Sequence, residues 1–523
     1  MEDVKEYRSI CLTKISERKI WDIVVIGGGA TGLGIALEAA ERGYKTLLIE
    51  QEDFAKGTSS RSTKLVHGGV RYLANGEVKL VREASIERGR LCQNAPHLVK
   101  NQTFIIPVYT FWERIKYTIG LKLYGWIAGK LSLGPSGFVS KEDTCSLLPG
   151  IKQDGLIGGV AYHDGQFDDA RLAINLAQTI WDLGGYAINY MKVTGLIKND
   201  QQKVDGVVVK DQETLMEYRI HSKVVVNATG VFADQILQMD HPESAPILCV
   251  SQGVHIVLDK EFYPANDALM IPETSDGRVL FAVPWHNKVV VGTTDTPVSE
   301  AMLEPVAMEK EIDFILETAA VYLTRKPSRK DVLSVFAGLR PLAAPQAGGQ
   351  KTKEISRGHK ILLTPSDLYT IIGGKWTTYR KMGEDMLDKI ERDKNWVSYS
   401  TGTEQLPIHG AASQMDWNDP FYYYGADAVA LKRMLNSNAG NWISKSLHVH
   451  EVQVEWAVKY EMARTIEDVL SRRTRALLLD AKEAIRMAEP VAAIMAKLLG
   501  KDDAWKNQQV NDFSNLAQKY LLN

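Results

Sequence analysis

Cysteine is scarce and scattered in this chain. Cys11, Cys92, Cys145 and Cys249 are the four among 523 residues, and no two form a C-x-x-C pair. This spacing excludes a zinc site, an iron–sulfur cluster and a disulfide framework, and suits a reducing compartment. An excess of one charge is also lacking: 62 Lys and Arg against 64 Asp and Glu leave −2, which gives nucleic-acid binding no support as a main activity. No window reaches the roughly 18 uninterrupted apolar residues of a transmembrane helix. The opening MEDVKEYRSICLTKISERKI has no apolar core of signal-peptide length. Internal repeats and low-complexity segments are absent too. The expectation is an intracellular protein that does not span a membrane, holds no metal, and divides into about three domains on length. Its 45% hydrophobic and 24% charged residues are ordinary for a folded globular protein.

What is present begins at Asp22. The apolar run Ile23 to Ile26 has the length and β-branching of a buried parallel strand. Gly27, Gly29 and Gly32 follow at the spacing G-x-G-x-x-G. A helical pattern then ends at Gly43, and a second strand, Thr46 to Ile49, ends on Glu50. Gly27 permits a tight turn, Gly29 lets backbone N–H groups reach a pyrophosphate, and Gly32 lets the helix pack on the sheet. The helix N-terminus carries partial positive charge toward the phosphates. Glu50 stands where an acid accepts hydrogen bonds from a ribose, and its charge would repel the 2′-phosphate of NADP. A glycine motif alone is weak evidence; with strand, helix and terminal acid in place it predicts dinucleotide binding.

After Glu50 the run Gly57-Thr58-Ser59-Ser60-Arg61-Ser62-Thr63-Lys64 sets small hydroxyl residues between cations. By itself it reads equally as a polar surface loop. Behind a dinucleotide turn it can supply hydroxyl and N–H donors to phosphates or a ring. Leu65-Val66-His67-Gly68-Gly69-Val70-Arg71-Tyr72-Leu73 continues it, and GTSSRSTKLVHGGVRYL as a whole resembles the signature of the FAD-dependent glycerol-3-phosphate dehydrogenases, within the flavoproteins similar to D-amino-acid oxidase. This match is long and dense, and so far more specific than the glycine motif.

Further on, residues 78 to 93 read as a charged amphipathic helix. The stretch from Phe111 to Lys130 interleaves aromatics and cations, suiting either a helix in a membrane interface or one buried against its own domain. Asp168-Asp169 looks like the N-cap of a helix from Ala170 to Leu183. Short strands follow over 192–197, 206–210 and 218–221, then Val224 to Asn227 runs into the small-residue turn Ala228-Thr229-Gly230. From Leu248 to Thr296 the alternation is that of antiparallel strands, with a hairpin across His286-Asn287 and His255 inside a strand. Arg340, Arg357 and Lys375 sit among apolar or glycine residues, where a cation needs an anion; a bound phosphate would supply one. Past about residue 395 a polar connector leads into a helical remainder, with Arg472, Arg473 and Arg475 clustered near residue 470.

The resemblance runs in family order along nearly the whole chain. It implies an α/β fold: a Rossmann-type FAD-binding domain (1–110, 150–245 and 335–395), an antiparallel-sheet substrate domain (111–149 and 246–334) and a C-terminal all-helical cap (396–523). It implies FAD held by Gly27, Gly29, Ala30, Thr31, Gly32, Glu50, Thr58, Ser59, Ser60, Ser62, Thr63, Lys64, Leu65, His67, Gly68, Ala228, Thr229, Gly230, Gly374, Lys375, Trp376 and Thr377. Trp376 stands where the family usually has leucine, and Gly358 where it more often has an acid. The implied reaction takes sn-glycerol 3-phosphate to dihydroxyacetone phosphate, with hydride passing from C2 to flavin N5. His255 and Arg340 are its catalytic residues, and Arg71, Tyr72, Arg340, Arg357 and Lys375 bind substrate. The expected electron acceptor is a respiratory quinone, with peripheral contact on the cytoplasmic face of the inner membrane and a homodimer as further expectations. The rivals are a glycerol-3-phosphate oxidase that uses O2 and a non-catalytic FAD-binding protein.

Overall fold

A computed structural model describes residues 4–522 apart from 71, 72, 74, 75, 275, 276, 344–357, 438 and 439. At its centre Trp21–Ile26 pairs in parallel with Thr46–Ile49 on one side and with Glu217–Asn227 on the other. Ile26 stands level with both Ile49 and Asn227, so the turns leaving these three strands open at one end of the sheet. The first two strands are buried along almost their full length, which is what an uninterrupted β-branched run provides when helices cover both faces. Helix Ala30–Glu41 follows the glycine turn, and the helix opening at Asp169 is capped by Asp168, whose Oδ1 accepts from the Arg171 N–H. The short strands after it form the expected meander, Met191–Lys198 against Val204–Asp211 against Glu217 to His221.

The second sheet has ten strands and is mainly antiparallel. Its centre is Leu248–Asp259, paired with Lys288–Gly292 and with the long strand Val332–Ala343. His286 and Asn287 both take positive φ in the hairpin turn between Leu280–Trp285 and Lys288–Gly292. Val99–Val108, Gly158–Phe167 and Val332–Ala343 all join this sheet. The domain limits drawn from sequence put these three strands, wholly or mostly, with the dinucleotide unit, because strand pairing is non-local and leaves no mark in the strand itself.

Helix Phe111–Ala128 opens on a capping box made by Thr110 and Glu113. It buries Leu121, Tyr124 and Ala128, while Trp112 (76% exposed), Ile119 and Trp126 (80% exposed) stand in solvent on its outer side. The part after residue 396 is helical, with one two-stranded ladder between Trp442–Ser444 and Val449–His450. Arg472, Arg473 and Arg475 are buried there. No helix among the described residues is long and apolar enough to cross a membrane.

Candidate functional site

The open end of the parallel strands and the wall of the second sheet enclose a cavity of about 450 Å³. On the parallel side, Gly27 has φ +110°, and a Cβ at Gly32 would stand 1.9 Å from the Gly27 carbonyl oxygen. Only glycine fits either place. Gly32 therefore sets the packing of the helix and does not itself line the cavity, whereas Gly27, Gly29, Ala30 and Thr31 do. The helix starting at Ala30 has no side-chain N-cap and no acid in its first turn, and Ser59 Oγ accepts the Ala30 N–H at 2.9 Å. Such a helix start is a ready anion site. Glu50 lines the same end and accepts the N–H groups of Gly28 (2.5 Å) and Glu52 (2.8 Å). Burial pushes its carboxyl up to about 7, against these two donors, which pull it down.

The hydroxyl-rich run folds along the floor. Thr58, Ser59, Ser62, Thr63, Leu65 and His67 line the cavity, with Ala228, Thr229, Gly230, Gly374, Lys375, Trp376 and Thr377 facing them. Trp376 ties the two segments together: its indole N–H donates to the Ser59 carbonyl at 2.8 Å, and its ring meets Phe167 edge-on. The bulk that replaces leucine is thus held by a hydrogen bond. His67 N–H donates to Thr377 Oγ1 at 3.2 Å. Ser60, Lys64 and Gly68 stand behind the lining, contrary to the expectation from sequence. Lys64 Nζ is fully buried at 2.8 Å from Asp169 and donates to the Ser60 carbonyl, and Ser62 Oγ donates to the same carboxylate. Asp169 is itself inaccessible, and a buried carboxylate needs a cation. Gly68 N–H donates to the Tyr124 hydroxyl, which together with Arg88 grips Asp164.

The opposite wall carries His255. Its ring stacks on Phe336, its partner on the neighbouring strand (centroids 5.0 Å apart), and leans over Gly292 on the other side, where a Cβ would meet the ring at 2.4 Å. Thr63 Oγ1 lies 2.9 Å from His255 Nε2. Nδ1 is buried with no hydrogen-bond partner among the described residues. Burial, and then the charges of Arg340 and Lys64, push the imidazole well below its usual range, so it is neutral at pH 7.

Arg340 lies two positions beyond Gly338, which pairs with Gly253. The guanidinium rests over Gly253, where a Cβ would be 2.3 Å from Nη2. Its Nη1 is 3.2 Å from Asp295, and its Nη2 donates to Thr293 Oγ1 and the Thr294 carbonyl. Thr293, Thr294 and Asp295 also line the cavity and were not singled out from sequence. The signal available was a T-T-D run directly after a strand. Arg71, Tyr72 and Arg357 lie outside the described residues.

A flavin dinucleotide fits these residues: an uncapped helix start and a glycine cradle for the pyrophosphate, a two-donor carboxylate for the ribose, and hydroxyl and N–H groups along the floor. The comparisons agree. The family model described as FAD dependent oxidoreductase matches residues 22–373, and that of the C-terminal domain of alpha-glycerophosphate oxidase matches 371–506. The mitochondrial glycerol-3-phosphate dehydrogenase of Schizosaccharomyces pombe is 35% identical over 566 residues, covering 95% of this chain and 87% of that protein. The human mitochondrial protein of the same name is 37% identical, covering 99% and 75%. Among solved structures, the glycerol-3-phosphate dehydrogenase from Bacillus halodurans complexed with FAD superposes with a TM-score of 0.80 at 30% identity, covering 99% of this chain and 98% of that one. The L-alpha-glycerophosphate oxidase from Mycoplasma pneumoniae shares the fold, with a TM-score of 0.57 at 17% identity over 74% of this chain and 98% of that one.

Proposed function

Since the chain belongs to the FAD-dependent glycerol-3-phosphate dehydrogenases and is an FAD-dependent oxidoreductase of glycerol 3-phosphate, we propose that one cavity holds FAD along its glycine turn and substrate against the antiparallel wall. The observation that carries this reading is the facing of the two: the dinucleotide turn and the pair His255 and Arg340 line a single space. Gly27, Gly29, Ala30 and Thr31 take the pyrophosphate, Glu50 the ribose, and Thr58, Ser59, Ser62, Thr63, Leu65 and His67 with the segments 228–230 and 374–377 the remainder. Bound FAD supplies the hydride acceptor, its N5 position, for the hydrogen on substrate C2. Arg340, with Lys375, holds the phosphate and so fixes C2; Arg71, Tyr72 and Arg357 are carried over as further substrate-binding residues from the family resemblance. His255, kept neutral, accepts the proton of the C2 hydroxyl as the C–H bond breaks, leaving dihydroxyacetone phosphate. Arginine stays protonated, so Arg340 lowers the hydroxyl's pKa and does not act as base.

The acceptor we favour is a membrane quinone. The exposed Trp112, Ile119 and Trp126 of helix Phe111–Ala128, with Arg114, Lys116 and Lys122 among them, suit contact with an anionic lipid surface where such a quinone resides. Location on the cytoplasmic face of the inner membrane is part of the same reading. Anaerobic glycerol 3-phosphate should bleach the flavin absorbance far faster than free glycerol does. Reoxidation should be faster with quinone in anionic vesicles than with O2, and the protein should co-sediment with those vesicles less at high salt. Absence of bleaching sinks the substrate assignment; peroxide release without quinone activity makes the protein an oxidase.

Glu50 predicts a pH dependence. Ribose hydroxyls donate to a carboxylate, so FAD favours the charged form and lowers a pKa of about 7. By linkage, FAD affinity should rise with pH up to about 7 and level off above it. Glu50→Gln should bind more weakly and lose the slope, as titration of apoprotein with FAD would show.

A further inference from the structure

Around Asp53, close to Glu50 in the chain, a set of charges that the reaction does not use is buried, and Lys56 alone of them lines the cavity. Asp53 lies in the turn after Glu50 and is wholly inaccessible. Arg472 Nε is 2.5 Å from its carboxylate, and Arg473 reaches it with Nη1 at 2.5 Å and Nη2 at 2.9 Å. Arg472 also donates to Glu467 (2.8 Å) and Asp468 (2.7 Å), and Arg473 to the Glu461 carbonyl (2.7 Å). Lys56, which lines the cavity, pairs with Glu467 at 2.9 Å, and Arg171 with Glu461 at 2.8 Å. Four carboxylates, Asp53, Glu461, Glu467 and Asp468, thus face four cations, Lys56, Arg171, Arg472 and Arg473. Burying so many charges is costly unless each is matched, and here each is. Burial alone would raise the Asp53 carboxyl; Arg473 and Arg472 hold it well below the usual range instead.

The position of Asp53 gives the cluster a use. Residues on either side of it carry the bonds that set the ribose acid. Glu52 N–H is one of the two donors to Glu50, and Ala55 N–H donates to the carbonyl of Gly28, whose own N–H is the other. Asp53 sits between them, so holding its side chain anchors the backbone that carries the Glu52 and Ala55 N–H groups. Gln51, Ala55, Lys56 and Gly57 of the same turn line the cavity. The C-terminal segment grips the other wall as well: Ser334 Oγ donates to the Leu477 carbonyl, and Val335 N–H to that of Tyr520, on the strand that carries Arg340.

We propose that the C-terminal helical region is a cofactor clamp, in which Arg472 and Arg473 hold Asp53 and thereby fix the 50–57 turn around the FAD ribose. They are positioning residues: neither reaches the cavity, and they act through Asp53 and the Glu50 donors. This assignment rests on the placement of the FAD ribose at Glu50. Cofactor retention, and not substrate handling, is what the clamp sets.

The test is the rate at which holoenzyme releases FAD, read as the rise of flavin fluorescence on dilution, in Arg472→Lys and Asp53→Asn. Lysine keeps the charge but lacks the fork that spans Asp53, Glu467 and Asp468, so release should quicken by about tenfold or more. With saturating FAD, activity should return, and the KM for glycerol 3-phosphate should stay within about twofold of wild type. Unchanged release in a folded variant, or lost activity that FAD does not restore, would overturn the proposal. A second measurement needs no variant. Coupling is reciprocal, so stripping FAD from the wild-type protein should speed amide exchange over 464–475 far more than over helix Asp503–Gln518. Equal changes in both segments would also overturn it. If instead Glu50→Gln leaves FAD affinity untouched while Arg472→Lys quickens release, it is the ribose placement that fails.

Discussion

His255→Asn is expected to lower kcat by ~10²- to 10⁴-fold, the range spanned by loss of a positioned proton acceptor, with a smaller change in the KM for glycerol 3-phosphate. The reason lies in how the ring is held. Phe336 stacks on one side, Gly292 leaves room on the other, and Thr63 meets Nε2, so only one orientation is open to it. Asparagine keeps a hydrogen-bonding group near the same place but cannot accept a proton at neutral pH. A kcat unchanged across the pH range would remove His255 from the base role. The same substitution has a stability readout of known sign. Burial and the charges of Arg340 and Lys64 put the folded-state pKa below the usual value near 6.5. The unfolded state therefore binds more protons as pH falls through about 6.5, and wild-type stability drops there. The Tm of His255→Asn should fall less steeply between about pH 6.5 and 5 than that of the wild type. Steepness equal to wild type would mean that the histidine is not neutral when folded.

Local features carried the reading of the parallel sheet. Strand Thr46–Ile49 falls where its position after Gly43 and before Glu50 puts it, and the hairpin turn is at His286-Asn287, because both are decided by neighbours in sequence. Gly27 and Gly32 were legible for the same reason: their spacing encodes a backbone contact only five residues long. What escaped were pairings between distant segments. Lys64 belongs to a run that points toward a cofactor, yet Asp169, 105 residues on, draws its ammonium behind the wall. Arg340 reads as a cation awaiting an anion, and Asp295 partly supplies one from the turn that follows strand Lys288–Gly292. Arg472 and Arg473 read as a basic cluster near a helix, and are instead the counter-charges of Asp53, more than 400 positions away. Burial converts a solvated charge into one that must find a partner, and sequence order says little about where that partner lies. The resemblance of GTSSRSTKLVHGGVRYL narrowed the chemistry because it preserves the order of groups along the floor, even where single members such as Ser60 turn inward.

Arg340→Ala should reduce kcat/KM for glycerol 3-phosphate by ~10³-fold, most of it through KM. Hydrogen bonds to a charged partner contribute about 1.5–3 kcal/mol each, and a guanidinium can give two to one phosphate. The truncation also removes one positive charge from beside Asp295, weakening the neutralisation of a carboxylate in the wall where a dianion is to bind. That charge adds a repulsion distinct from the lost attraction, and the two can be separated. Asp295→Asn placed on top of Arg340→Ala should recover part of the loss by removing the repulsion alone. Arg340→Lys should recover a different part, since it restores charge without the planar fork. Free glycerol gives the control, because it has no phosphate to lose. Its slow turnover should change by less than about tenfold in Arg340→Ala, so that the preference for the phosphorylated substrate collapses. If instead both substrates fall together and the KM for glycerol 3-phosphate is unchanged, Arg340 does not hold the phosphate. Its contacts with Asp295, Thr293 and Thr294 would then serve the C2 hydroxyl, and the phosphate would have to lie against Lys375.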